Sequence, residues 1–175
     1  MTCPYFLTTD RLGFSYWNQD NLLPLAMTLW GDPRVSAWIG GPFGEEEVRA
    51  RLAREIELQR THKVQYWPVF LFQDGELAGC AGLRPYGDDK QILELGFHFL
   101  PQYWGQGLGQ EAARAVIAFA FETLAVKALF AGHHPENAAS ERLLRKLGFR
   151  YTHQEIYPPT GLLNPAYLLK NPKAL

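Results

Sequence analysis

The spacing of hydrophobic and polar positions changes along the chain, and it predicts several strands first and then strands that alternate with helices. Asp74–Gly75 is typical of a tight hairpin turn, so the segments on either side of it and the next one form a three-stranded meander. The strands are predicted at 7–17, 65–72, 76–83, 91–100, 126–131, 149–156 and 166–170. This order of elements is typical of a mixed α/β sheet.

Helical periodicity predicts the elements between these strands. Asp32–Pro33 has the residues of a helix start, with Asp as the cap and Pro in the first turn. Apolar residues recur every four positions in segment 44–63, which favours a surface helix with charged pairs at i,i+4. These pairs are Glu45–Arg49, Glu47–Arg51 and Arg51–Glu55. The predicted helices are 18–30, a short one from Pro33, 44–63, one after Gly109, and one that Asn137 caps and Gly148 ends.

Composition adds limits to this picture. The chain has 175 residues, of which 47% are hydrophobic, so we expect one folded domain over 1–175 and no intrinsic disorder. Its 17 Lys and Arg against 18 Asp and Glu give a net charge of -1, which argues against a nucleic-acid-binding protein. Two cysteines imply no disulfide framework. Residues 1–7 lack the pattern of a secretory signal and segment 112–126 is too short to cross a bilayer, so we expect a cytoplasmic protein without membrane contact.

Gly105, Gly107 and Gly109 alternate between a predicted strand and a predicted helix. Glycines at such a place let the backbone approach a ligand closely, and amides at a helix N-terminus attract anions, so phosphate is the natural occupant. The alternative is a plain glycine-rich turn. A dinucleotide-binding fold would place the glycines after its first strand. Here at least three strands precede them, and nicotinamide binding is therefore not expected.

Three runs of sequence resemble known motifs. Residues 93–112, LELGFHFLPQYWGQGLGQEA, resemble the acetyl-CoA-binding motif of the GNAT acetyltransferases. Residues 137–149, from NAAS to KLGF, resemble the next motif of that superfamily, and LTTDRL at 7–12 looks like the start of its RimJ/RimL-like branch of ribosomal-protein N-acetyltransferases. The resemblance implies a mixed, mostly antiparallel sheet of about seven strands flanked by helices. Two parallel central strands, ending near Leu100 and Ala131, would splay apart to admit the pantetheine arm of the cofactor.

The same resemblance implies acetyl-CoA as cosubstrate and assigns residues to it. The amides of the glycine loop would hold the pyrophosphate, the main chain around 97–100 would pair with the pantetheine arm, and Asn137 would contact that arm as well. Trp104 departs from the family pattern, because many relatives have Gln or Arg at this position. What its side chain contributes therefore does not follow from the resemblance. The implied cofactor-binding residues are Phe97, Phe99, Leu100, Trp104, Gly105, Gln106, Gly107, Leu108, Gly109, Gln110 and Asn137.

Direct acetyl transfer to an amine requires a base for the ammonium proton, donors for the oxyanion and a proton donor for the leaving thiolate. Glu94 is the candidate base, and on a regular strand it shares one face with Ile92, Gly96 and His98. The alternative for Glu94 is a structural carboxylate bonded to neighbouring groups. A bulge near Phe97 would change the face that His98 occupies.

The proton donor for the thiolate is harder to assign from the sequence. Many relatives carry a Tyr where this chain has Leu144, which cannot donate a proton, and the RimJ/RimL-like branch suggests Ser140 as the substitute. The alternative is that Ser140 only completes the helix cap formed by Asn137. Tyr103 and Tyr151 are possible replacements.

His133 and His134 are adjacent and should point to opposite sides of the chain. At most one of them is expected to reach the splay. The alternative is that both histidines are ordinary loop residues. They form no metal site with a third ligand at a recognisable spacing, so no metal is expected.

These observations favour an acetyl-CoA-dependent N-acetyltransferase that acts on a primary amine by direct attack in a ternary complex. The acceptor is a protein N-terminus or a small-molecule amine, and the aromatic-rich segment 14–43 is expected to build the acceptor side. The alternative is a non-catalytic acyl-CoA-binding or sensing module, which the absence of a Tyr at Leu144 favours. Both a monomer and a homodimer agree with the sequence.

Overall fold

One mixed sheet of eight strands forms the centre of the computed structural model, which describes residues 5–18 and 22–174. The strands are β1 (Leu7–Thr8), β2 (Leu12–Phe14), β3 (Tyr66–Leu71), β4 (Leu77–Pro85), β5 (Ile92–Phe99), β6 (Ala128–Gly132), β7 (Arg150–Tyr157) and β8 (Leu162–Lys170). Their order across the sheet is β1-β2-β3-β4-β5-β6-β8-β7. Among the strands of the described residues, only β5 and β6 run parallel. The mixed, mostly antiparallel α/β sheet is confirmed, with one strand more than expected.

Helices cover both faces of this sheet. They are α1 (Leu23–Trp30), α2 (Pro33–Ser36), α3 (Glu45–His62), α4 (Leu108–Ala118) and α5 (Ala138–Lys146). The buried residues of α4 and α5 belong to one hydrophobic core, and those of α1 and α3 belong to a second one. The two cores take alternate residues of the strands, such as Trp67 and Tyr66, so they lie on opposite faces.

The N-terminal segment is not the single strand predicted over 7–17. The amide of Leu12 donates to Thr9 Oγ1 (3.0 Å) and the amide of Thr9 to the Leu12 carbonyl (2.9 Å), so β1 and β2 form a hairpin. The predicted helix 18–30 begins only at Leu23, with Pro24 in its first turn, where a missing amide costs nothing. Residues 19–21 of that prediction lie outside the described residues.

Helix α3 has nearly the predicted bounds, yet two of its three predicted charge pairs are wrong. Arg49 donates to Glu45 as expected (2.8 Å). Glu47 instead accepts the amide of Gly44 (3.0 Å), which satisfies a free donor at the start of the helix. Glu55 is fully buried against the sheet and does not pair with Arg51.

The sheet opens between its two parallel strands. Strand β5 pairs with β6 only at Ile92, Leu93 and Glu94, although it continues to Phe99. Strand β6 meanwhile remains paired with β8 as far as Gly132. Because β6 leaves β5 without a partner on one edge, residues 96–98 are only half-buried in the middle of the sheet. This gap is the splay predicted from the family resemblance.

Candidate active site

An exposed loop, residues 104–107, joins β5 to α4 at the mouth of this gap. Gly105 and Gly107 have φ angles of 73° and 76°, in the left-handed region that glycine adopts without strain. A Cβ atom on Gly105 would meet nothing within 4 Å, so the backbone is open to a ligand there. Backbone amides 105–110 donate no hydrogen bond to any described residue. Free amides at a helix N-terminus attract anions, and the loop therefore fits a diphosphate group.

Arg11 braces the glycine loop from the β1–β2 turn. Its guanidinium donates to the Gln106 carbonyl (2.9 Å) and to the Glu111 carboxylate (2.6 Å) on α4. Glu111 also accepts the backbone amide of Arg11 (3.0 Å) and the Thr9 hydroxyl. Although burial raises the pKa of Glu111, the hydrogen bonds from Thr9 and Arg11 outweigh it and lower that pKa overall. The turn 9–11 thus holds one carbonyl of the loop in place.

The residues at the end of β5 are used partly by the protein itself. The Trp104 indole Nε1 donates to the Phe99 carbonyl (2.8 Å), so its ring folds back over the strand while remaining 51% exposed. The amide of Leu100 donates to Ala78 (2.9 Å), and its carbonyl accepts from Tyr103 (2.9 Å). Phe97 lies beyond the last pair with β6, which leaves its open edge toward the gap.

Helix α5 begins beside the end of β6 with the predicted cap. Asn137 Oδ1 accepts the amide of Ser140 (3.2 Å), which confirms Asn137 as the N-cap. The Ser140 hydroxyl is half-buried and bonds to no described residue, so it is available as a donor. Leu144 is buried in the core on this face of the sheet.

Glu94 stands where β5 and β6 part, and it has one partner for its carboxylate. The Tyr66 hydroxyl donates to Glu94 Oε1 (3.2 Å), while Oε2 accepts no hydrogen bond from the described residues. Burial raises the pKa of Glu94, and the positive charge of Arg84 and the bond from Tyr66 oppose only part of that rise. A carboxylate with a raised pKa and a free oxygen has the properties of a general base.

Tyr66 is held in place by a buried ion pair. The Arg84 guanidinium lies over the Tyr66 ring (3.9 Å to its centroid) and pairs with Glu55 from α3. The second oxygen of Glu55 accepts the amide of Tyr66 (2.8 Å). Gln65 adds a further link, because its side chain donates to the Glu55 carbonyl (3.0 Å). The pair Glu55–Arg84 therefore orients the tyrosine that contacts the candidate base.

His98 lies on the same face as Glu94, as expected for a regular strand. The pairing of β4 with β5 is continuous from Leu93 to Phe99, so no bulge changes this face. The Trp30 indole donates to His98 Nδ1 (3.3 Å), which leaves the proton on Nε2. Burial, followed by the charges of Arg51 and Arg84, holds the pKa of His98 well below its usual range, so the ring is neutral. Burial raises the pKa of the neighbouring Cys80 to about 12, and this thiol stays protonated.

The tyrosines named as replacement acids have other positions. Tyr103 donates to Glu76 (3.0 Å) at the start of β4, and Tyr151 is exposed on β7. Tyr167 was not singled out from the sequence. It is buried in the same core as Leu144, and its hydroxyl lies 3.2 Å from His133 Nε2. His133 Nδ1 donates to a backbone carbonyl, so Nε2 accepts from Tyr167.

His134 points away from His133, as expected for adjacent residues. Its ring packs edge-on against Trp38 (5.1 Å between centroids). Among residues 5–18 and 22–174, no three His, Cys, Asp or Glu side chains cluster so that they could hold a metal ion. No helix in the same ranges is long and apolar enough to cross a membrane.

The structure thus brings the glycine loop, the free edge of β5, Glu94 and the start of α5 around one gap in the sheet. Sequence reasoning missed Tyr66, Arg84 and Glu55, which support Glu94 from the far side. Glu55 had a readable signal, because it stands three residues after Leu52 on the apolar stripe of α3. Arg11 stood in a quoted motif without a role. Tyr66 and Arg84 carried no signal that distinguishes them from ordinary strand residues.

Comparison with known proteins places this chain in a family. Residues 11–150 match the family model of the acetyltransferase (GNAT) domain. The Bacillus subtilis protein YkkB is 28% identical over 147 residues, which are 83% of this chain and 86% of YkkB. A GNAT-family acetyltransferase from Bacillus anthracis has the same fold, with a TM-score of 0.79 at 22% identity over 94% of this chain and 98% of that one.

A second solved structure concerns the branch suggested by the N-terminal motif. RimL, a ribosomal L7/L12 alpha-N-protein acetyltransferase solved with coenzyme A, has a TM-score of 0.78 at 15% identity, over 95% of this chain and 98% of RimL. At this identity the likeness concerns the fold, and it is consistent with the RimJ/RimL-like branch. The family match covers most of the chain, including the glycine loop and Glu94. The protein is a member of the GNAT family of acetyltransferases.

Proposed function

We propose that the protein transfers the acetyl group of acetyl-CoA to a primary amine by direct attack in a ternary complex. One observation carries the proposal. The pairing of β5 with β6 stops at Glu94, so the single gap between parallel strands leads from the anion-binding glycine loop to a carboxylate with a raised pKa. A diphosphate-bearing thioester and an amine can meet in such a gap, with the base beside the amine.

The chain offers separate groups for holding the cosubstrate. The amides of Gly105 to Gln110 bind the pyrophosphate, and the loop is held open by Arg11 at the Gln106 carbonyl. The unpaired edge of β5 around Phe97 and the cap at Asn137 line the path of the pantetheine arm. Acetyl-CoA supplies the acetyl group and a thiolate leaving group when it is bound.

Glu94 removes the proton that keeps the acceptor amine unreactive. Amines of proteins and small molecules have pKa values of about 8 to 10 and are mostly protonated at neutral pH. The free Oε2 of Glu94 accepts this proton, while Tyr66 continues to donate to Oε1. The raised pKa of Glu94 brings it closer to the pKa of the amine, which makes the proton transfer less unfavourable.

Two further groups complete the chemistry. The unpaired amides on the open edge of β5 donate to the oxyanion that forms as the amine attacks. The Ser140 hydroxyl, which has no partner among the described residues, donates a hydrogen bond to the departing sulfur. Ser140 fills this role because Leu144 offers no proton.

A panel of amines tests the proposal. The protein is incubated with acetyl-CoA and with peptides that have free N-termini, polyamines, amino acids and amino sugars, and thiol release and acetylated product are measured together. We expect thiol and product in equal amounts for at least one acceptor, and strong loss of both in Glu94→Gln. Binding of acetyl-CoA without turnover across the panel would overturn the transferase and favour the acyl-CoA-sensing module.

A further inference from the structure

The acceptor side of the gap contains a cation without an anionic partner. Arg51 of α3 has its guanidinium 5.1 Å from the centroid of the Trp30 ring and 5.9 Å from that of Phe43. It forms no hydrogen bond or ion pair with any described residue, and its Nε is buried without a partner. Aromatic faces offset part of the cost of burying a charge, but they do not satisfy the donors of a guanidinium.

The carboxylates near Arg51 are already engaged. Glu55, one turn further along α3, pairs with Arg84 through one oxygen and accepts the amide of Tyr66 with the other. Glu94 is bonded to Tyr66. Burial, and then the like charge of Arg84, lowers the pKa of Arg51, yet an arginine stays protonated in proteins. Arg51 is therefore a permanent positive charge that has no ion pair among the described residues.

Trp30 connects this charge to the face of β5 that carries the base. The Trp30 ring contacts the Arg51 guanidinium, and its Nε1 donates to His98 (3.3 Å) on the same face of β5 as Glu94. Arg54 stands one turn beyond Arg51 on α3, is exposed and has no ion pair among the described residues. The acceptor side thus carries guanidinium groups that have no ion pair among the described residues, near the carboxylate of Glu94.

The chain also covers this side of the gap. Trp30 contacts β5 at His98, and Trp38 contacts His134 just beyond the end of β6, so the segment between them crosses from one strand of the gap to the other. At Gly40, a Cβ atom would stand 2.8 Å from Pro159 in the turn between β7 and β8. Segment 30–38 therefore lies over the acceptor side of the gap.

We propose that the acceptor is a small amine that also carries a carboxylate, and that Arg51 binds this carboxylate. The planar fork of a guanidinium matches the two oxygens of a carboxylate, and an ion pair in a partly buried site is strongly favoured over contact with a neutral group. With the carboxylate on Arg51, the amine of the same molecule is directed to Glu94. This inference rests on the proposed function, since it names the acceptor class of the same site.

Matched acceptors test the inference in the full-length protein. The kcat/KM values are measured for amino acids, their carboxamides, their decarboxylated amines and aminoalkyl phosphates, each corrected to the concentration of unprotonated amine. We expect the carboxylates to exceed their neutral counterparts by about 10- to 100-fold, the range for a charge-assisted bond pair. Equal values for carboxylate and carboxamide would overturn the proposal. A preference for the phosphates would overturn the carboxylate assignment.

Two substitutions on α3 separate Arg51 from a general charge effect. Arg51→Gln should remove most of the preference for carboxylates, and Arg51→Lys should retain part of it. Arg49→Gln, which removes the same charge from the exposed face of the same helix, should leave the preference unchanged. A preference that survives in Arg51→Gln, with native unfolding behaviour, would refute the role of Arg51.

A binding measurement adds a readout that does not depend on turnover. The deaminated acid of the best acceptor should compete with that acceptor but not with acetyl-CoA, and Arg51→Gln should weaken this competition about 10-fold or more. Absence of competition in the wild-type protein would contradict the proposal. If acetyl-CoA binds and no amine of any kind is acetylated, the proposed function itself is wrong and the inference falls with it. Turnover of neutral amines alone overturns only the inference.

Discussion

The two sides of the gap are built in different ways. The side that we propose for the cofactor consists mainly of backbone amides from one short stretch, 104–110, which Arg11 holds in place at the Gln106 carbonyl. The acceptor side consists of side chains from α1, α3, β3, β4 and β5, which are joined by the buried pair Glu55–Arg84. A site made of backbone tolerates changes of neighbouring side chains but not of charge or backbone conformation. A site made of packed side chains depends on each partner.

Loss of the base should have the largest effect. Glu94→Gln should lower turnover by about 100- to 10,000-fold while acetyl-CoA binding and unfolding remain close to wild type. A base must be deprotonated, so wild-type kcat/KM should fall as the pH drops through the pKa of Glu94, which lies above the usual value. The variant should lack this acidic limb in a pH–rate profile.

Tyr66→Phe sharpens this measurement. The hydrogen bond from Tyr66 lowers the pKa of Glu94, so its removal should shift the acidic limb to higher pH. An identical limb in wild type and Glu94→Gln would leave Glu94 as a structural carboxylate.

Breaking the buried ion pair should cost stability. Glu55→Gln leaves Arg84 buried without its partner, and we expect a loss of about 3 to 5 kcal/mol in the free energy of unfolding, measured with urea. Glu141→Gln is the matched control, because it breaks the exposed i,i+4 pair with Arg145. The control should cost about 0.5 kcal/mol or less. Equal costs for the two variants would contradict the structural role of Glu55.

Charge in the glycine loop should abolish cofactor binding. Gly107→Asn and Gly107→Asp place side chains of the same size at a left-handed position that both tolerate, so they differ only in charge. Coenzyme A at 100 times its Kd should stabilise the wild type by about 2.7 kcal/mol in thermal unfolding. We expect this stabilisation to persist in part with Asn and to vanish with Asp. Similar behaviour of both variants would refute the anion site.

Removal of the Ser140 hydroxyl should have the smallest effect. One hydrogen bond to the departing sulfur contributes about 1 to 3 kcal/mol, so Ser140→Ala should slow turnover with acetyl-CoA by roughly 5- to 150-fold. An acyl donor with a better leaving group needs this bond less and should be slowed less. If both donors are slowed equally, or neither is, Ser140 serves only in the cap of α5. Tyr167→Phe is then the next variant, because Tyr167 is a buried tyrosine in the same core as Leu144.

The fold was largely predictable because its signals are local. The turn at Asp74–Gly75, the cap at Asn137 and the stop at Gly148 each follow from residues a few positions apart. The hairpin 7–14 was missed because segment 7–17 has the composition of one strand. The polar residues 9–11 form the turn, but they lack the glycine or proline that usually indicates one. The length of β8 was underestimated because Asn164 and Pro165 interrupt its apolar residues, and a proline is unfavourable within a strand.

The sequence by itself determined the glycine loop that we propose for the cofactor. Alternating glycines between a strand and a helix favour an open backbone with free amides, and this local signal can be read without the fold. The family motifs around it also located Glu94, and strand alternation predicted the face that Glu94 shares with His98.

Only the tertiary structure decided the acceptor side. Packing of α3 on two strands connects Glu94 with Tyr66, Arg84 and Glu55. No residue spacing in the sequence predicts these contacts. The same holds for Arg51, which on the sequence belongs to two ordinary charge pairs of a surface helix. Burial of Glu55 removes its predicted partner, because a carboxylate inside the core must pair with the nearest buried cation, Arg84. The unpaired charge of Arg51 is thus a consequence of packing.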